Sequence, residues 1–240
     1  MPKRPSEQSN PAAVRRILAG LRESRLLAER QARDSYRRVS LLGERYVLKE
    51  FIYGPGTRPD RRPWRREHAA LAHLADPTLP ASVGFLSETT DDGWRVRYLR
   101  GFVPGVALEG FDAASAAEAG VLLAGLHTRG VVTDDALTQN FMRAPDGRLF
   151  FLDYGKSRIF SPRNPLLLVW IALEHCRYLR ASLGGDAELW AAFREAYFRA
   201  AGGGRSAETV IRTLSRLILS LIHISEPTRL RLKSRLPSAA

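Results

Sequence analysis

A lysine and a glutamate, 18 residues apart, occupy positions that apolar side chains usually fill. Lys49 lies within the apolar run 46–51. Glu67 lies in a stretch with helical spacing, on the same side as three apolar residues, Trp64, Leu71 and Leu74. A carboxylate is rarely buried without a partner, so we predict an ion pair between Lys49 and Glu67. Taken alone, Lys49 could also be an ordinary outward-facing strand lysine.

Three further polar residues lie in turns. Asp135 and Asn140 follow a predicted helix, in the loop 131–140, and Asp153 follows the apolar run 149–152 and precedes a tyrosine and a glycine. Each could simply form a turn or a cap, which is the usual role of Asp and Asn in loops. Carboxylate and amide oxygens at such places are also suited to binding a metal ion.

The order of these five residues is more informative than any one of them. A strand lysine, an inward helical glutamate, a loop with Asp and Asn, and an Asp-aromatic-Gly sequence follow the protein-kinase signature order. Lys49 would contact the ATP phosphates, and Glu67 would orient Lys49. Asp135 would be the catalytic residue beside the acceptor hydroxyl, and Asn140 and Asp153 would bind Mg²⁺.

The surrounding sequence predicts elements that could position these residues. We expect a hairpin of strands 36–41 and 46–51 with Gly43 in its turn, a helix over 61–75, and strands at 83–86 and 95–102. A second part follows Pro104-Gly105, with a helix over 113–129 capped by Asp112, a hairpin around 144–147, and helices from 165 onward.

The last part of the chain does not look like part of a fold. Residues 219–229 resemble the translation of sequencing-adapter DNA, and segments of this kind are excluded from fold reasoning. We therefore predict an α+β, protein-kinase-like bilobal fold, with a small β-rich N-lobe and a mainly helical, truncated C-lobe. The predicted divisions are an N-terminal amphipathic helical segment (1–30), the N-lobe (31–103), the C-lobe (104–218) and a non-native tail (219–240).

Within kinase-like proteins, the chain resembles the bacterial lipopolysaccharide core kinases, which phosphorylate heptose or Kdo (3-deoxy-manno-octulosonic acid). The stretches that carry the resemblance are Glu44–Lys49, Arg66–Leu71, Phe102–Leu108, Leu126–Val131, Gln139–Phe141 and Leu152–Ser157. The resemblance implies ATP and Mg²⁺ as cofactors and a sugar hydroxyl of the lipopolysaccharide inner core as acceptor. It also implies cytoplasmic action, with peripheral contact at the cytoplasmic face of the inner membrane.

The chain departs from the family at one important place. Thr133-Asp134-Asp135 stands where a His-x-Asp sequence is usual, and Asp135, five residues before Asn140, is the better match to the catalytic aspartate. A catalytically weak, kinase-like binding protein is therefore one alternative. A protein Ser/Thr kinase or another small-molecule kinase is a second alternative.

Charge and composition limit the partners. The chain has 240 residues, a formal net charge of +12 and a single cysteine, Cys176, so it cannot form an internal disulfide. The positive charge indicates an anionic partner, but nothing resembles a base-reading helix or an aromatic RNA platform, so we predict no nucleic-acid partner. The longest apolar run, 166–173, is shorter than the ~20 residues of a membrane-spanning helix, which predicts a soluble or peripherally bound protein. An arginine cluster between Arg58 and Arg66 could bind an anionic acceptor.

Overall fold

The computed structural model describes residues 9–21, 24–32, 35–55, 57, 62–91, 93–202, 208–218 and 220. It has a mixed α and β architecture and separates into two compact units. Unit 1 comprises Met1–Ala107 and Met142–Arg158, and unit 2 comprises Leu108–Phe141 and Ile159–Ala240. The predicted tail (219–240), apart from Ser220, and two members of the arginine cluster, Arg58 and Arg61, lie outside the described residues. The predicted lobe boundaries stay a prediction.

Unit 1 is built on a five-stranded antiparallel sheet with the order β1-β2-β3-β5-β4. Its strands are β1 (Ser24–Ala32), β2 (Ser35–Leu42), β3 (Tyr46–Tyr53), β4 (Ser82–Thr90) and β5 (Gly93–Gly101). The predicted hairpin is confirmed as β2–β3: Gly43 and Glu44 both have positive φ, and the Arg45 N–H donates to the Leu42 carbonyl at 3.1 Å. Two consecutive positive φ angles match the right-handed twist of the flanking strands.

The N-terminal segment predicted to be helical (1–30) is a helix only in its first part, and the prediction is wrong for the described residues beyond Gly20. Helix α1 covers Pro11–Gly20, and the following segment forms β1, which pairs with β2 along its length. Leu26 and Leu27 are about half exposed in this edge strand, so no apolar face holds the segment as a helix. The backbone N–H and C=O groups of this segment instead form hydrogen bonds with β2.

The two faces of the sheet bury two apolar clusters. Val14 of α1 packs with Leu42, Leu48 and Leu99 on one face. Trp64, from helix α2 (Pro63–Leu74), packs with a group on the other face that comprises Phe51, Val96 and Tyr98. Because side chains alternate along a strand, Lys49 shares the face of Phe51, toward α2. The sequence of β3 thus directs a lysine into the interface between sheet and helix.

A small three-stranded sheet completes the described elements of unit 1. It consists of β6 (Val106–Ala107), β8 (Phe141–Arg143) and β9 (Leu149–Phe151) in the order β6-β8-β9. The predicted hairpin is confirmed as β8–β9, with Gly147 at a φ of 83° in its turn. Asp153 comes shortly after this hairpin, and one residue separates it from the end of β9.

Unit 2 is mainly helical. Its helices are α3 (Ala113–Thr128), α4 (Leu166–Ala181), α5 (Ala187–Ala201) and a helix over 208–218, which we term α6. The short strand β7 (Val131–Val132) and a 3₁₀ turn (Thr138–Asn140) follow α3. A further short strand, β10 (Arg158–Ile159), precedes α4 in the sequence. Asp112 caps α3 as predicted, accepting a hydrogen bond from the Ser115 N–H at 2.7 Å. Among the described helices, none combines the length and apolar character that crossing a membrane would require.

Two glycines of α3 provide a matched test of how α3 packs on α5. A Cβ added at Gly120 would lie 2.3 Å from the Phe193 carbonyl oxygen, whereas one at Gly125 would meet nothing within 4 Å. We expect Gly120→Ala to destabilise the protein by about 1–3 kcal/mol, because the helices must separate. We expect Gly125→Ala to stabilise it by about 0.5–1 kcal/mol through helix propensity. Urea denaturation of the two variants measures both effects, and equal midpoints would contradict the observed helix contact.

Candidate functional site

A buried ion-pair cluster joins β3, α2 and β5 in unit 1. The Lys49 Nζ lies 2.6 Å from the Glu67 Oε2, as predicted, and the Arg100 Nε lies 3.1 Å from the Glu67 Oε1. All three residues are buried, with Glu67 only 1% exposed. One carboxylate thus lies between two cations, and this group carries a net positive charge.

The local sequence explains how each member reaches this position. Glu67 lies in the middle of α2, between Trp64 and Leu71, which are both buried. Arg100 comes from β5, opposite Val47 in the register with β3, while Lys49 lies opposite Tyr98. Arg100 was not among the site residues predicted from the sequence. The signal was available, because Arg100 follows the apolar run Tyr98-Leu99, but only the strand register shows which face it occupies.

Asp153 joins this cluster from the segment after β9. Its Oδ1 lies 3.6 Å from the Lys49 Nζ, and its Oδ2 lies 3.8 Å from an Arg37 guanidinium nitrogen. Burial disfavours the charged form, but Lys49, Arg37 and the Gly155 N–H outweigh it and lower the pKa of Asp153 to about 2. The carboxylate is therefore ionised at neutral pH.

Gly155, two residues after Asp153, lies in a closely packed turn. The Gly155 N–H donates to the Asp153 Oδ1 at 3.1 Å. A Cβ at position 155 would lie 3.1 Å from that same oxygen and 3.1 Å from the Cβ of Pro63, at the start of α2. A larger residue at position 155 would therefore need both neighbours to shift by a few tenths of an ångström.

The low pKa of Asp153 predicts a specific pH dependence of stability. Because the pKa is lowered from 3.8 to about 2 on folding, the ionised group stabilises the protein above about pH 4. That contribution, about 2 kcal/mol, is lost as the pH falls from about 4 to about 2. The free-energy difference between wild type and Asp153→Asn, measured by urea denaturation, should fall by this amount over that range. A difference that stays constant with pH would contradict the cation contacts of Asp153.

The other two predicted site residues, Asp135 and Asn140, belong to unit 2. The Asn140 side-chain amide donates to the Asp135 carbonyl at 2.8 Å, and the Leu137 N–H donates to the same oxygen at 2.6 Å. The loop is thus folded back on itself by backbone groups of Asp135. Since the amide nitrogen is used in this way, Oδ1 is the atom of Asn140 suited to accept or ligate.

A buried glutamate that the sequence analysis missed holds the start of this loop. The Glu174 Oε1 accepts from the Asp134 N–H at 2.7 Å and from the Thr133 hydroxyl. Its Oε2 is 2.7 Å from the His127 Nε2, which donates to the carboxylate. Glu174 lies on α4 among buried residues and is itself only 1% exposed. The criterion that selected Glu67, a carboxylate on the apolar side of a helix, would also have found Glu174.

Two more contacts complete the network around Glu174. Tyr197 lies with its hydroxyl 2.9 Å from the His127 Nδ1, and burial raises the pKa of Tyr197, which keeps its hydroxyl as the donor. Asp134, with a φ of 56°, forms an ion pair with Arg177. Thr133 is fully buried and donates its hydroxyl hydrogen to Glu174, so Glu174 anchors the start of the loop.

The donor set can be compared with the needs of Mg²⁺. In nucleotide sites this ion takes one or two protein oxygen ligands and completes its shell with phosphates and water. Among the described residues there is no cluster of three or more His, Cys, Asp or Glu side chains suited to a metal ion. Asp153, ionised at neutral pH, and the Asn140 Oδ1 are each oxygen donors of a kind that this ion accepts.

The comparisons with known proteins found structural likenesses only. No protein-family model matches the chain, and no curated protein matches it. A structure of WbdD with the kinase inhibitor LY294002 has a TM-score of 0.38 at 16% identity, over 85% of this chain and 61% of that one. A structure of WbdD at 2.2 Å has a TM-score of 0.38 at 17% identity, over 79% of this chain and 50% of that one.

A third structure, described as the bifunctional kinase-methyltransferase WbdD, has a TM-score of 0.40 at 15% identity, over 82% of this chain and 60% of that one. The chain thus spans between half and about three fifths of the length of these structures. At TM-scores of 0.38 to 0.40 these likenesses carry no argument about this chain. Its function is inferred from its own residues.

Proposed function

We propose that the protein is an ATP-dependent phosphotransferase with a protein-kinase-like fold. The observation that supports this most directly is the buried cluster in which Lys49 contacts two carboxylates, Glu67 and Asp153. Burying a charged lysine is costly unless the charge is paired, and here two carboxylates provide the pairing. Phosphoryl transfer requires such an arrangement, because one carboxylate holds the lysine and the other is available to a metal ion.

Each proposed residue has one task in this reaction. Glu67, itself held by Arg100, keeps the Lys49 ammonium in place, and Lys49 contacts the phosphates of ATP. Asp153 and Asn140 are the residues that would hold Mg²⁺, which would supply positive charge to offset the charge of the ATP phosphates. Asp135 is the catalytic residue, accepting or orienting the proton of the acceptor hydroxyl.

We further propose that the acceptor is a sugar hydroxyl, on heptose or Kdo, of the lipopolysaccharide inner core. The support is the resemblance in the motifs around Lys49, Glu67 and Asp153, together with the excess of basic residues. Lys156, exposed three residues after Asp153, is suited to contact an anionic acceptor. This substrate implies work in the cytoplasm, at the cytoplasmic face of the inner membrane.

The substrate proposal is tested by locating the transferred phosphate. The protein is incubated with ATP, Mg²⁺ and deep-rough lipopolysaccharide, and mass spectrometry then identifies the sugar that has gained a phosphate. We expect a single phosphate on a core heptose or Kdo. Transfer to protein serine or threonine, with none to any core sugar, would contradict the sugar acceptor and show that the acceptor is a protein. Magnesium-dependent ATP binding without turnover would favour a kinase-like binding protein.

A further inference from the structure

A basic pocket in unit 2 uses none of the residues assigned to phosphoryl transfer. We term it the arginine pocket. It lies among α4, α5 and α6 and is open to solvent. Its cavity volume is about 50 Å³, several times the ~10–15 Å³ that one water molecule needs, so it has room for a small anion. Its main polar and aromatic lining residues are His175, Trp190, Arg194, Arg212, Ser215 and Arg216.

The charges of the arginine pocket are unbalanced. Three arginines line it, and the described residues that line it include no carboxylate. Glu208, one turn earlier on α6, forms an ion pair with Arg212 and also acts to raise the pKa of Arg194, but one carboxylate leaves the charge of two of the three arginines uncompensated. Burial, followed by the nearby Arg212 and Arg216, lowers the pKa of Arg194, as expected where like charges share one pocket. An anion of charge close to −2 would balance the two remaining cations.

Buried polar atoms also lack partners in the arginine pocket. The His175 Nε2, the Ser215 Oγ and the Arg194 Nε are buried and form no hydrogen bond with the described residues. His175 is only 1% exposed, and burial, followed by His127 and Arg194, lowers its pKa well below 6.5. It is therefore neutral and adds no positive charge to the pocket. Buried polar groups are normally bonded, so these atoms indicate a ligand with several acceptor oxygens.

From this combination we propose that the arginine pocket binds a phosphate monoester or inorganic phosphate. A phosphate dianion matches the two uncompensated arginines in charge, and its oxygens match the fork geometry of guanidinium groups. Ser215 supplies a hydroxyl and His175 a ring nitrogen at the buried side. Trp190 and Phe198 give the pocket an apolar wall, which suits the organic part of a phosphate ester. The residues that line this site do not include Lys49 or its partners Glu67 and Asp153.

The test is calorimetric titration of the full chain with inorganic phosphate in a buffer free of other oxyanions. We expect saturable binding in the wild type and unchanged affinity in Lys49→Ala, which weakens the proposed nucleotide contact. Arg194→Gln and Arg216→Gln should each weaken binding about tenfold or more, since each removes a hydrogen bond to a charged group. Arg199→Gln is the matched control, because Arg199 is an exposed arginine of α5 that pairs with Glu195. Its affinity should be unchanged.

Three outcomes would overturn the proposal: no saturable binding in the wild type, wild-type affinity in both pocket variants, or loss of binding in Lys49→Ala alone. Thermal melts without phosphate check that each variant is folded. If Arg194→Gln does not fold, Arg216→Gln alone tests the proposal, because Arg216 is exposed. The source of the phosphate is distinguished with glycerol 3-phosphate and with phosphatidylcholine vesicles that contain or lack phosphatidic acid. Arg216-dependent binding to the acidic vesicles would identify a lipid headgroup, whereas binding of the soluble ester alone would identify a soluble ligand.

Discussion

The Glu174→Ala variant is expected to be less stable than the wild type by about 3–5 kcal/mol, which is the cost of removing one partner from a buried charged network. The substitution leaves the Thr133 hydroxyl, the Asp134 N–H and the His127 ring nitrogen without their acceptor. Thr133 is fully buried and His127 is 2% exposed, so water cannot easily replace the lost carboxylate. Each unsatisfied buried donor costs about 1–3 kcal/mol.

Urea denaturation at neutral pH measures this loss directly. Glu195→Ala is the matched control, because Glu195 lies on α5 with a side chain 73% exposed and forms only a surface ion pair with Arg199. Its variant should lie within about 1 kcal/mol of the wild type. If Glu174→Ala is no less stable than Glu195→Ala, the anchoring of the loop by Glu174 is wrong.

For Lys49→Ala we expect the rate of phosphoryl transfer to fall on the order of 10²-fold or more, as when one charge-stabilising group is removed from an active site. The protein should remain folded, because Glu67 keeps its ion pair with Arg100. The loss should appear in both ATP affinity and turnover, since Lys49 is proposed to contact the phosphates before and during transfer.

Arg97→Ala is the control for Lys49→Ala. Arg97 is also a cation of the same sheet and is paired with Glu88, but Glu88 lies on β4, outside the cluster of Lys49. We expect its kinetics to match the wild type. Unchanged transfer in Lys49→Ala, with circular dichroism showing a folded protein, would remove Lys49 from the proposed mechanism.

The sequence predicted the contacts that depend on local pattern. The pairing of Lys49 with Glu67 followed from an inward carboxylate on an apolar helix face, and the β2–β3 hairpin followed from the glycine in its turn. Arg100 was missed because a strand residue can face either side, and its face is set by the register with β3. That register depends on the whole sheet rather than on the local sequence.

Two other features required information from distant parts of the chain. Residues 24–32 have apolar spacing that partly resembles a helix, yet pairing with β2 makes them a strand. The partners of Glu174 lie 40 to 47 residues away in the sequence, so only the packing of α4 shows which donors it accepts. Propensity gives a local preference, and tertiary pairing can override it.

The most direct test of the central proposal is the transfer of labelled phosphate from ATP to deep-rough lipopolysaccharide, followed as Mg²⁺ is varied. The wild type should transfer the γ-phosphoryl group only when Mg²⁺ is present, and Asp153→Asn should transfer on the order of 10²-fold less. The denaturation profile of Asp153→Asn at neutral pH checks that it is folded. Transfer by Asp153→Asn at the wild-type rate, or the absence of magnesium-dependent transfer in the wild type, would contradict the proposed phosphotransferase.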